Sequence, residues 1–237
     1  MSTQEINPDL TFADFGFAEP ITRAITEQGY IKPTPIQAQS MPHVLQGADV
    51  MGAAQTGTGK TAAFAIPIIQ QIIEKPQREI HALILAPTRE LAHQISDNFR
   101  KYSAGSKLRI ALVYGGVSQR KQVEDIRRGC QVLIATPGRL LDLIEQGHIN
   151  LAAINTWVLD ECDRMLDMGF IDAMQQVLRY CPSSRQTLLF SATFTPPIKQ
   201  LAKEFMKEPH EITVEEEKIV QDIEQKFYEV NHPSEKY

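Results

Sequence analysis

Cysteine is scarce in this sequence, and its spacing excludes two kinds of site. The 237 residues contain three cysteines, Cys130, Cys162 and Cys181, and six histidines. No two cysteines form a C-x-x-C pair and their number is odd, so neither a disulfide framework nor a zinc site is supported. The histidines are scattered without metal-ligand spacing. We therefore expect a reducing compartment.

Long hydrophobic segments are also missing. No run of about eighteen apolar residues occurs, so no membrane-spanning helix is predicted. The N-terminal segment MSTQEINPDL lacks the charged and apolar regions of a signal peptide. A cytoplasmic protein without a membrane partner is therefore expected.

The sequence has no excess of positive charge. It contains 24 Lys and Arg against 29 Asp and Glu, which gives a formal net charge of -5. This balance argues against a protein that grips nucleic acid by bulk positive charge, although local basic sites remain compatible with it. Because 43% of the residues are hydrophobic, the chain can bury the core of one large domain or two small ones.

Short apolar runs alternate with longer segments of helical periodicity. This pattern predicts an α/β fold with a mainly parallel sheet and helices on both faces. A prefix at 11–47 is predicted to add a helical cap, with one helix around 19–28 and another after Pro35. The apolar runs lie at 49–54, 81–87, 108–116, 131–137, 156–161 and 186–193.

The first apolar run leads into AQTGTGKT, from Ala54 to Thr61, and then into a helical segment. This fits the phosphate-binding loop, with Ala54 in place of the usual first glycine. Gly57 and Gly59 let backbone N–H groups turn towards phosphates. Lys60 is predicted to reach the β and γ phosphates, and Thr61 to offer its hydroxyl to Mg²⁺. A glycine-rich turn without a ligand would not explain the lysine and the hydroxyl.

Three acidic residues, Asp160, Glu161 and Asp163, follow the apolar run TWVL. Carboxylates are favourable near a helix N-terminus, which is one explanation. The phosphate loop favours another, because an ATPase needs an acid at the end of a nearby parallel strand to hold Mg²⁺. We therefore predict that Asp160 binds the metal and Glu161 activates the attacking water as a general base. Asp163 is predicted to accept hydrogen bonds from its neighbours.

The whole set of motifs resembles the first RecA-like domain of a DEAD-box RNA helicase. GYIKPTPIQ at 29–37 resembles the Q motif of that family, and Phe12 matches its isolated upstream aromatic. The other motifs follow in the family's order. They are AQTGTGKT (motif I), PTRELA at 87–92 (Ia), GG at 115–116, TPGR at 136–139 (Ib), DECD (II) and SAT at 191–193 (III).

Cys162 departs from the family pattern, in which the name-giving motif has alanine. The DECD form also resembles a eukaryotic subgroup involved in mRNA export. The flanking segments RMLDMGF and RQTLLFSATFTPPIKQLA are more similar to the bacterial RhlE-like helicases, which we favour.

The resemblance implies ATP and Mg²⁺ as cofactors and assigns nucleotide-binding residues. The amide of Gln37 can read the N6 and N7 edge of adenine, which guanine would not satisfy. Tyr30 offers a ring on which the base can stack, while Phe12 is expected to brace the prefix. The predicted nucleotide-binding residues are Tyr30, Lys32, Gln37, Ala54, Gln55, Thr56, Gly57, Thr58, Gly59, Lys60 and Thr61.

The predicted RNA-binding residues share one structural context. PTRELA and TPGR each follow an apolar strand and open a helix, whose N-terminus presents free N–H groups to phosphates. Such contacts grip the sugar-phosphate backbone and carry no sequence code, so RNA binding is expected to be largely sequence-independent. The residues are Pro87, Thr88, Arg89, Gly115, Gly116, Thr136, Gly138 and Arg139. Asp163, Ser191 and Thr193 are predicted to couple this face to the nucleotide.

The expected organisation is a helical cap at 1–47, a RecA-like ATPase domain at 48–224, and a last strand with the start of a linker at 225–237. The resemblance implies a second RecA-like domain of the same protein, with arginines in a motif like HRxGR, and a monomeric fragment. Two alternatives remain open: an ATP-gated RNA clamp or assembly platform, and another P-loop ATPase that acts on DNA.

Overall fold

The computed structural model describes residues 7–214, and its centre is one parallel sheet. The sheet has seven strands in the order β3-β4-β2-β5-β6-β1-β7, and every pairing is parallel. The predicted fold class is therefore confirmed. The strands are β1 (Val50–Ala53), β2 (Ala82–Leu85), β3 (Ile110–Val113), β4 (Val132–Ala135), β5 (Thr156–Leu159), β6 (Gln186–Ser191) and β7 (His210–Thr213).

Helices precede the first strand and connect the successive strands, and they cover the sheet. A short 3-10 turn at Phe12–Phe15 precedes them. The helices are α1 (Glu19–Glu27), α2 (Pro35–Leu45), α3 (Lys60–Glu74), α4 (Arg89–Tyr102), α5 (Gln119–Arg127), α6 (Pro137–Glu145), α7 (Cys162–Asp167), α8 (Ile171–Leu178) and α9 (Pro196–Phe205).

The central strands β4, β2, β5 and β6 are buried along their whole length because both faces of the sheet are covered. Along β2, for example, Ile84 packs into the apolar cluster formed with α1 to α4, and its neighbour Leu85 packs into the cluster formed with α5 to α9. This alternation of side chains across a strand divides the core into two layers. The sheet positions every predicted motif at the carboxyl end of a strand or in the prefix.

The prefix shares the core of the domain. Phe12 is 4% exposed and packs in the same apolar cluster as Phe64 of α3 and Phe99 of α4. Its ring stacks on that of Tyr30, with centroids 5.8 Å apart. Phe12 therefore braces the prefix, as the sequence predicted.

Strand β7 was not predicted. Its sequence HEIT lies in an acidic segment, and of its four residues only Ile212 is buried. The strand forms because its backbone pairs with β1, where Met51 lies opposite Glu211. The last strand predicted at 225–237 lies outside the described residues, as does the end of the 48–224 domain.

None of the helices in the described range combines the length and the hydropathy that crossing a membrane requires.

Candidate nucleotide site and nucleic-acid interface

The sheet order separates the predicted motifs into two neighbouring groups. Motifs I, II and III follow β1, β5 and β6, which are adjacent strands. Motifs Ia, GG and Ib follow β2, β3 and β4, which form the other side of the sheet. Because all strands are parallel, all six motifs emerge at one edge. The predicted nucleotide residues and the predicted RNA residues therefore form two groups that meet between β5 and β2.

The loop between β1 and α3 has the geometry of a phosphate cradle. Gly57 has φ 89° and Gly59 has φ 90°, a left-handed conformation that glycine adopts without steric cost. The amides of these two glycines donate no hydrogen bond to any residue in the range 7–214. The N-terminus of α3, which begins at Lys60, adds further free amides and a positive dipole end.

Lys60 lies inside this loop. Its side chain is 8% exposed, and its ammonium donates to the carbonyl oxygen of Ala54 over 2.6 Å. The charge is thus held within the turn that a phosphate chain would occupy. Thr58 closes the same turn by donating from its hydroxyl to the carbonyl of Gln55 over 2.8 Å.

Asp160 is a buried carboxylate at the end of β5. It is 3% exposed, and its backbone N–H donates to the carbonyl of Leu85 on the neighbouring strand β2 over 3.0 Å. Burial raises the pKa of Asp160 to about 6, while Lys60 lowers this pKa and Glu161 raises it. Burial penalises the charged form, so a cation beside this carboxylate would be strongly favoured.

Glu161 has a strained backbone. Its φ and ψ are 49° and 51°, a left-handed conformation that is unusual for any residue except glycine. Its carboxylate contacts Arg164, whose Nη1 lies 3.3 Å from Glu161 Oε2. The sequence analysis did not predict this contact, although Arg164 follows Glu161 by three residues, a spacing at which side chains of a helix meet.

These residues fit ATP and Mg²⁺. The loop offers unpaired amides and a lysine to phosphates, and Asp160 offers a desolvated carboxylate to a cation. No group of three acidic, histidine or cysteine side chains is arranged for a metal between residues 7 and 214. Mg²⁺ that is shared with a nucleotide needs only one or two protein ligands, so Asp160 and Thr61 are a sufficient set.

Gln37 joins the Q motif to the phosphate loop. Its Oε1 accepts a hydrogen bond from the backbone N–H of Thr34 over 2.9 Å. Its Nε2 donates to the carbonyl of Gly59 over 3.1 Å. One amide hydrogen and one lone pair are left, which is what reading both N6 and N7 of adenine requires.

The other two Q-motif predictions have different surroundings. Tyr30 is partly buried between aromatic neighbours, and its hydroxyl lies 3.1 Å from that of Tyr102 at the end of α4. Lys32 is exposed, and its ammonium donates to the carbonyl of Pro8 over 3.0 Å. Their contact with a nucleotide stays a prediction.

The helix N-termini predicted to meet RNA are both formed. Thr88 caps α4 by accepting from the N–H of Leu91 over 3.2 Å. Thr136 precedes α6 without a side-chain cap bond, so its hydroxyl is free for other partners there. Helix α6 begins with Pro137, which has no N–H to donate, so the free amides of its first turn are those of the residues that follow this proline.

The two arginines of these motifs differ in their contacts. Arg89 is half exposed, and its Nε lies 3.5 Å from Glu90. The Arg139 side chain is only 17% exposed, and its Nε lies 3.5 Å from Asp142. Arg139 also donates from Nη1 to the carbonyl of Val117 over 3.2 Å, so it ties motif Ib to the segment after Gly116.

The predicted coupling residues are adjacent, but their hydrogen bond differs from the expected one. Asp163 accepts from the backbone N–H of Ala192 over 3.2 Å. The hydroxyl of Ser191 is buried without a partner within the described chain, and Thr193 is exposed. Motifs II and III are therefore linked through the backbone N–H of Ala192, which lies between Ser191 and Thr193, and not through either hydroxyl.

Cys162 is fully buried behind these motifs. Burial raises the pKa of its thiol to about 12, and Asp163 and Asp160 add to the increase. The thiol is therefore protonated and inert at neutral pH, which agrees with a packing role.

The parallel sheet, the phosphate loop and the buried acid at the end of β5 define a RecA-like P-loop nucleotide-binding domain. Residues 34–201 match the family model of the DEAD/DEAH box helicases. The chain belongs to this family.

Curated proteins of the same family are similar over nearly the whole chain. A DEAD-box ATP-dependent RNA helicase RhpA of Helicobacter pylori (strain B128) is 47% identical over 222 residues, which are 93% of this chain and 45% of that protein. A DEAD-box ATP-dependent RNA helicase CshA of Bacillus subtilis (strain 168) is 44% identical over 223 residues, again 93% and 45%. The chain thus spans about half the length of these relatives. The RhlE-like subgroup stays a prediction.

A solved structure supports the same conclusion. A DEAD box protein from the hyperthermophile Methanococcus jannaschii superposes with a TM-score of 0.82 at 38% sequence identity. The match covers 86% of this chain and 56% of that one.

Proposed function

We propose that this chain is the ATP-binding lobe of an RNA-dependent ATPase that unwinds or remodels RNA duplexes. One observation carries the proposal: the nucleotide motifs follow β5, β6 and β1, and the nucleic-acid motifs follow β2, β4 and β3, at a single edge of the sheet. A nucleotide bound at one group would then lie beside a nucleic acid bound at the other. The names of the relatives, which are ATP-dependent RNA helicases, support the same activity.

In this proposal the phosphate loop and Lys60 bind the triphosphate, and Asp160 with Thr61 hold Mg²⁺. A Mg²⁺ ion held by these residues would supply positive charge beside the phosphates. Glu161 accepts the proton of the attacking water, which requires that its carboxylate leave Arg164. Asp163 transmits the state of this site to motif III through Ala192.

RNA binding in this proposal uses the backbone of one strand. The free N–H groups of α4 and α6, the half-exposed Arg89 and the exposed Gly115 and Gly116 all suit phosphate oxygens. These contacts are few and local, so a net charge of -5 does not oppose them. A second RecA-like domain is needed to complete the groove. The cytoplasmic location and the monomeric state of this fragment remain predictions.

The test uses a longer protein that contains this chain together with a second RecA-like domain. Phosphate release from ATP is measured alone, with single-stranded RNA, and with DNA of the same sequence. We expect strong stimulation by RNA and weak stimulation by DNA. Arg89→Ala should weaken the stimulation by raising the RNA concentration that it needs, whereas Lys60→Ala should abolish turnover at every RNA concentration.

The outcomes separate the proposal from its two alternatives. Equal stimulation by DNA would favour a P-loop ATPase that acts on DNA. An ATP-gated clamp would show RNA-stimulated hydrolysis without strand separation, and a labelled RNA duplex measures this directly. Turnover that RNA does not change would contradict the proposed function.

A further inference from the structure

Gln122 on α5 makes two hydrogen bonds to a single backbone unit. Its Oε1 accepts from the N–H of Tyr114 over 3.1 Å, and its Nε2 donates to the carbonyl of Tyr114 over 3.1 Å. The side chain is buried, with 7% exposure. A primary amide can satisfy both groups of one residue only in a fixed orientation, so the position of Tyr114 is tightly specified.

These two bonds lie at the end of an edge strand. Strand β3 lies at the edge of the sheet, beside β4 alone. The N–H of Thr136 still bonds to Val113 at the end of β3, over 2.9 Å, and Tyr114 is the next residue. Gln122 supplies Tyr114 with the donor and acceptor that a neighbouring strand would otherwise offer. It thus fixes the point where the strand ends and the next loop begins.

That loop is the diglycine segment assigned to RNA. Gly115 and Gly116 are exposed, and a Cβ at either position would meet no atom within 4 Å. With φ 81°, Gly116 turns the chain in a way that favours glycine. Such an open segment has few internal contacts, so its position depends on the residues at its two ends. Arg139 holds the far end through Val117, and Gln122 holds the near end through Tyr114.

The ring of Tyr114 extends this effect to motif Ia. The guanidinium carbon of Arg89 lies 5.9 Å from the centroid of the ring, within the range of a cation–π contact. His93, one turn further along α4, packs on the same ring with centroids 5.0 Å apart. A shift of Tyr114 would therefore move the diglycine loop and the support of Arg89 together.

We propose that Gln122 is a positioning residue of the RNA interface, which acts through Tyr114 on both the diglycine loop and Arg89. The inference rests on the proposed function for the identity of the ligand. Holding a loop in its binding conformation before the ligand arrives reduces the entropy lost on binding. Gln122 itself is buried and contributes to affinity without touching RNA.

The test compares the 237-residue chain with its Gln122→Met variant, which keeps the length of the side chain and removes both hydrogen bonds. Binding of a fluorescent single-stranded RNA is measured by anisotropy at low salt. We expect the RNA affinity to fall about tenfold, because the loop that Gln122 no longer holds must be ordered when RNA binds. The affinity for ADP, whose site lies on the other group of strands, should stay unchanged.

Gln131 provides a matched control at the opposite end of β3. Its Oε1 accepts from the N–H of Arg109 over 2.9 Å, and its Nε2 donates to the carbonyl of Gln77 over 3.0 Å. Gln131→Met therefore removes the same two kinds of bond far from the RNA face. It should lower the melting temperature as Gln122→Met does and leave the RNA affinity unchanged.

Hydrogen exchange of the amides at 113–118, measured without RNA, gives a second readout. Faster exchange there in Gln122→Met, and not in Gln131→Met, is expected. A Gln122→Met chain that binds RNA as well as the unmodified chain, or a Gln131→Met chain that binds it equally poorly, would overturn the role of Gln122. If the unmodified chain alone binds no RNA, the same comparison is made in the longer protein with a second RecA-like domain, and absence of RNA binding there would contradict the proposed function itself.

Discussion

The Nε2 atom of Gln37 donates a hydrogen bond to the carbonyl oxygen of Gly59, over 3.1 Å. A residue predicted to read the base is therefore bonded to the loop predicted to bind the phosphates. The contact is close, since a Cβ on Gly59 would collide with this amide nitrogen and lie 3.4 Å from Thr34 Oγ1. We therefore predict that binding of a base and binding of phosphates are linked through this side chain.

Gln37→Ala should erase much of the preference for adenine over guanine nucleotides. A base-reading contact in a buried site is worth about 1–3 kcal/mol of discrimination, and Gln37 is 3% exposed. Calorimetric titration with ADP and GDP measures the difference. Gln94→Ala, on an exposed position of α4, is the control and should keep the preference. Equal affinity for ADP and GDP in the unmodified chain would refute the role of Gln37.

A pair of glycine substitutions tests the link between Gln37 and the loop. Gly57 has φ 89° and Gly59 has φ 90°, a conformation that alanine rarely adopts. Gly57→Ala and Gly59→Ala should therefore both weaken ADP binding through backbone strain. Only the Cβ at Gly59 meets Gln37, whereas that at Gly57 meets nothing within 4 Å. Gly59→Ala should therefore also reduce the ratio of ADP to GDP affinity. A similar ratio in both variants would mean that the link does not affect base choice.

The motifs were predictable because each combines a residue pattern with a strand-to-helix context. AQTGTGKT and DECD place Lys60 and Asp160 correctly in the fold, since parallel strands bring their carboxyl ends to one edge. The contacts between motifs were not predictable, because they depend on tertiary distances. Gln122 reaches Tyr114, and Asp163 reaches the Ala192 amide, only once α5 and α7 have packed on the sheet. Strand β7 was missed because one buried side chain, Ile212, gives no recognisable period.

Two acidic residues should have separable roles in the longer protein. Glu161→Gln should retain binding of ATP and RNA and lose most turnover, because an amide keeps the shape but cannot accept a proton. Asp160→Asn should weaken Mg²⁺-dependent nucleotide binding, because it removes charge from the metal ligand. Nucleotide titrations with and without Mg²⁺, beside phosphate release, measure both effects. Identical binding by the two variants would contradict this division.

Stability should fall as the pH decreases below 7, in part through His81. Burial lowers the pKa of His81 to about 4 from an ordinary value of 6.5, and Lys75 adds a smaller effect in the same direction. Below pH 6.5, therefore, His81 binds a proton in the unfolded chain but stays neutral in the folded chain. Between pH 7 and pH 5, this residue alone lowers the free energy of unfolding by about 2 kcal/mol.

Urea unfolding at the two pH values measures the effect, and His81→Gln supplies the comparison. The variant should show a smaller loss of unfolding free energy between pH 7 and pH 5 than the unmodified chain. The difference between the two losses isolates His81 from every other titrating group. Equal losses would show that His81 does not contribute.

The 237-residue chain alone should bind adenine nucleotide without appreciable ATP hydrolysis or duplex unwinding. Phosphoryl transfer needs positive charge on the developing γ phosphate, and an arginine finger is worth on the order of 10³–10⁵ in rate. The family resemblance assigns that charge to a motif like HRxGR, and no such motif occurs between Met1 and Tyr237. Arg89 and Arg139 do not replace it, because their motifs follow β2 and β4 on the other side of the sheet.

Phosphate release by the purified chain with saturating single-stranded RNA is the decisive measurement. A second RecA-like domain, linked or added at high concentration, should restore RNA-stimulated turnover. Arg164→Gln in the chain alone is a useful control, because Arg164 is the arginine that lies on Glu161 and is thus the cation nearest to the proposed base. If the chain alone turned over ATP at the rate of the two-domain protein, a catalytic cation would reside in this lobe. Loss of that rate in Arg164→Gln would then identify the cation.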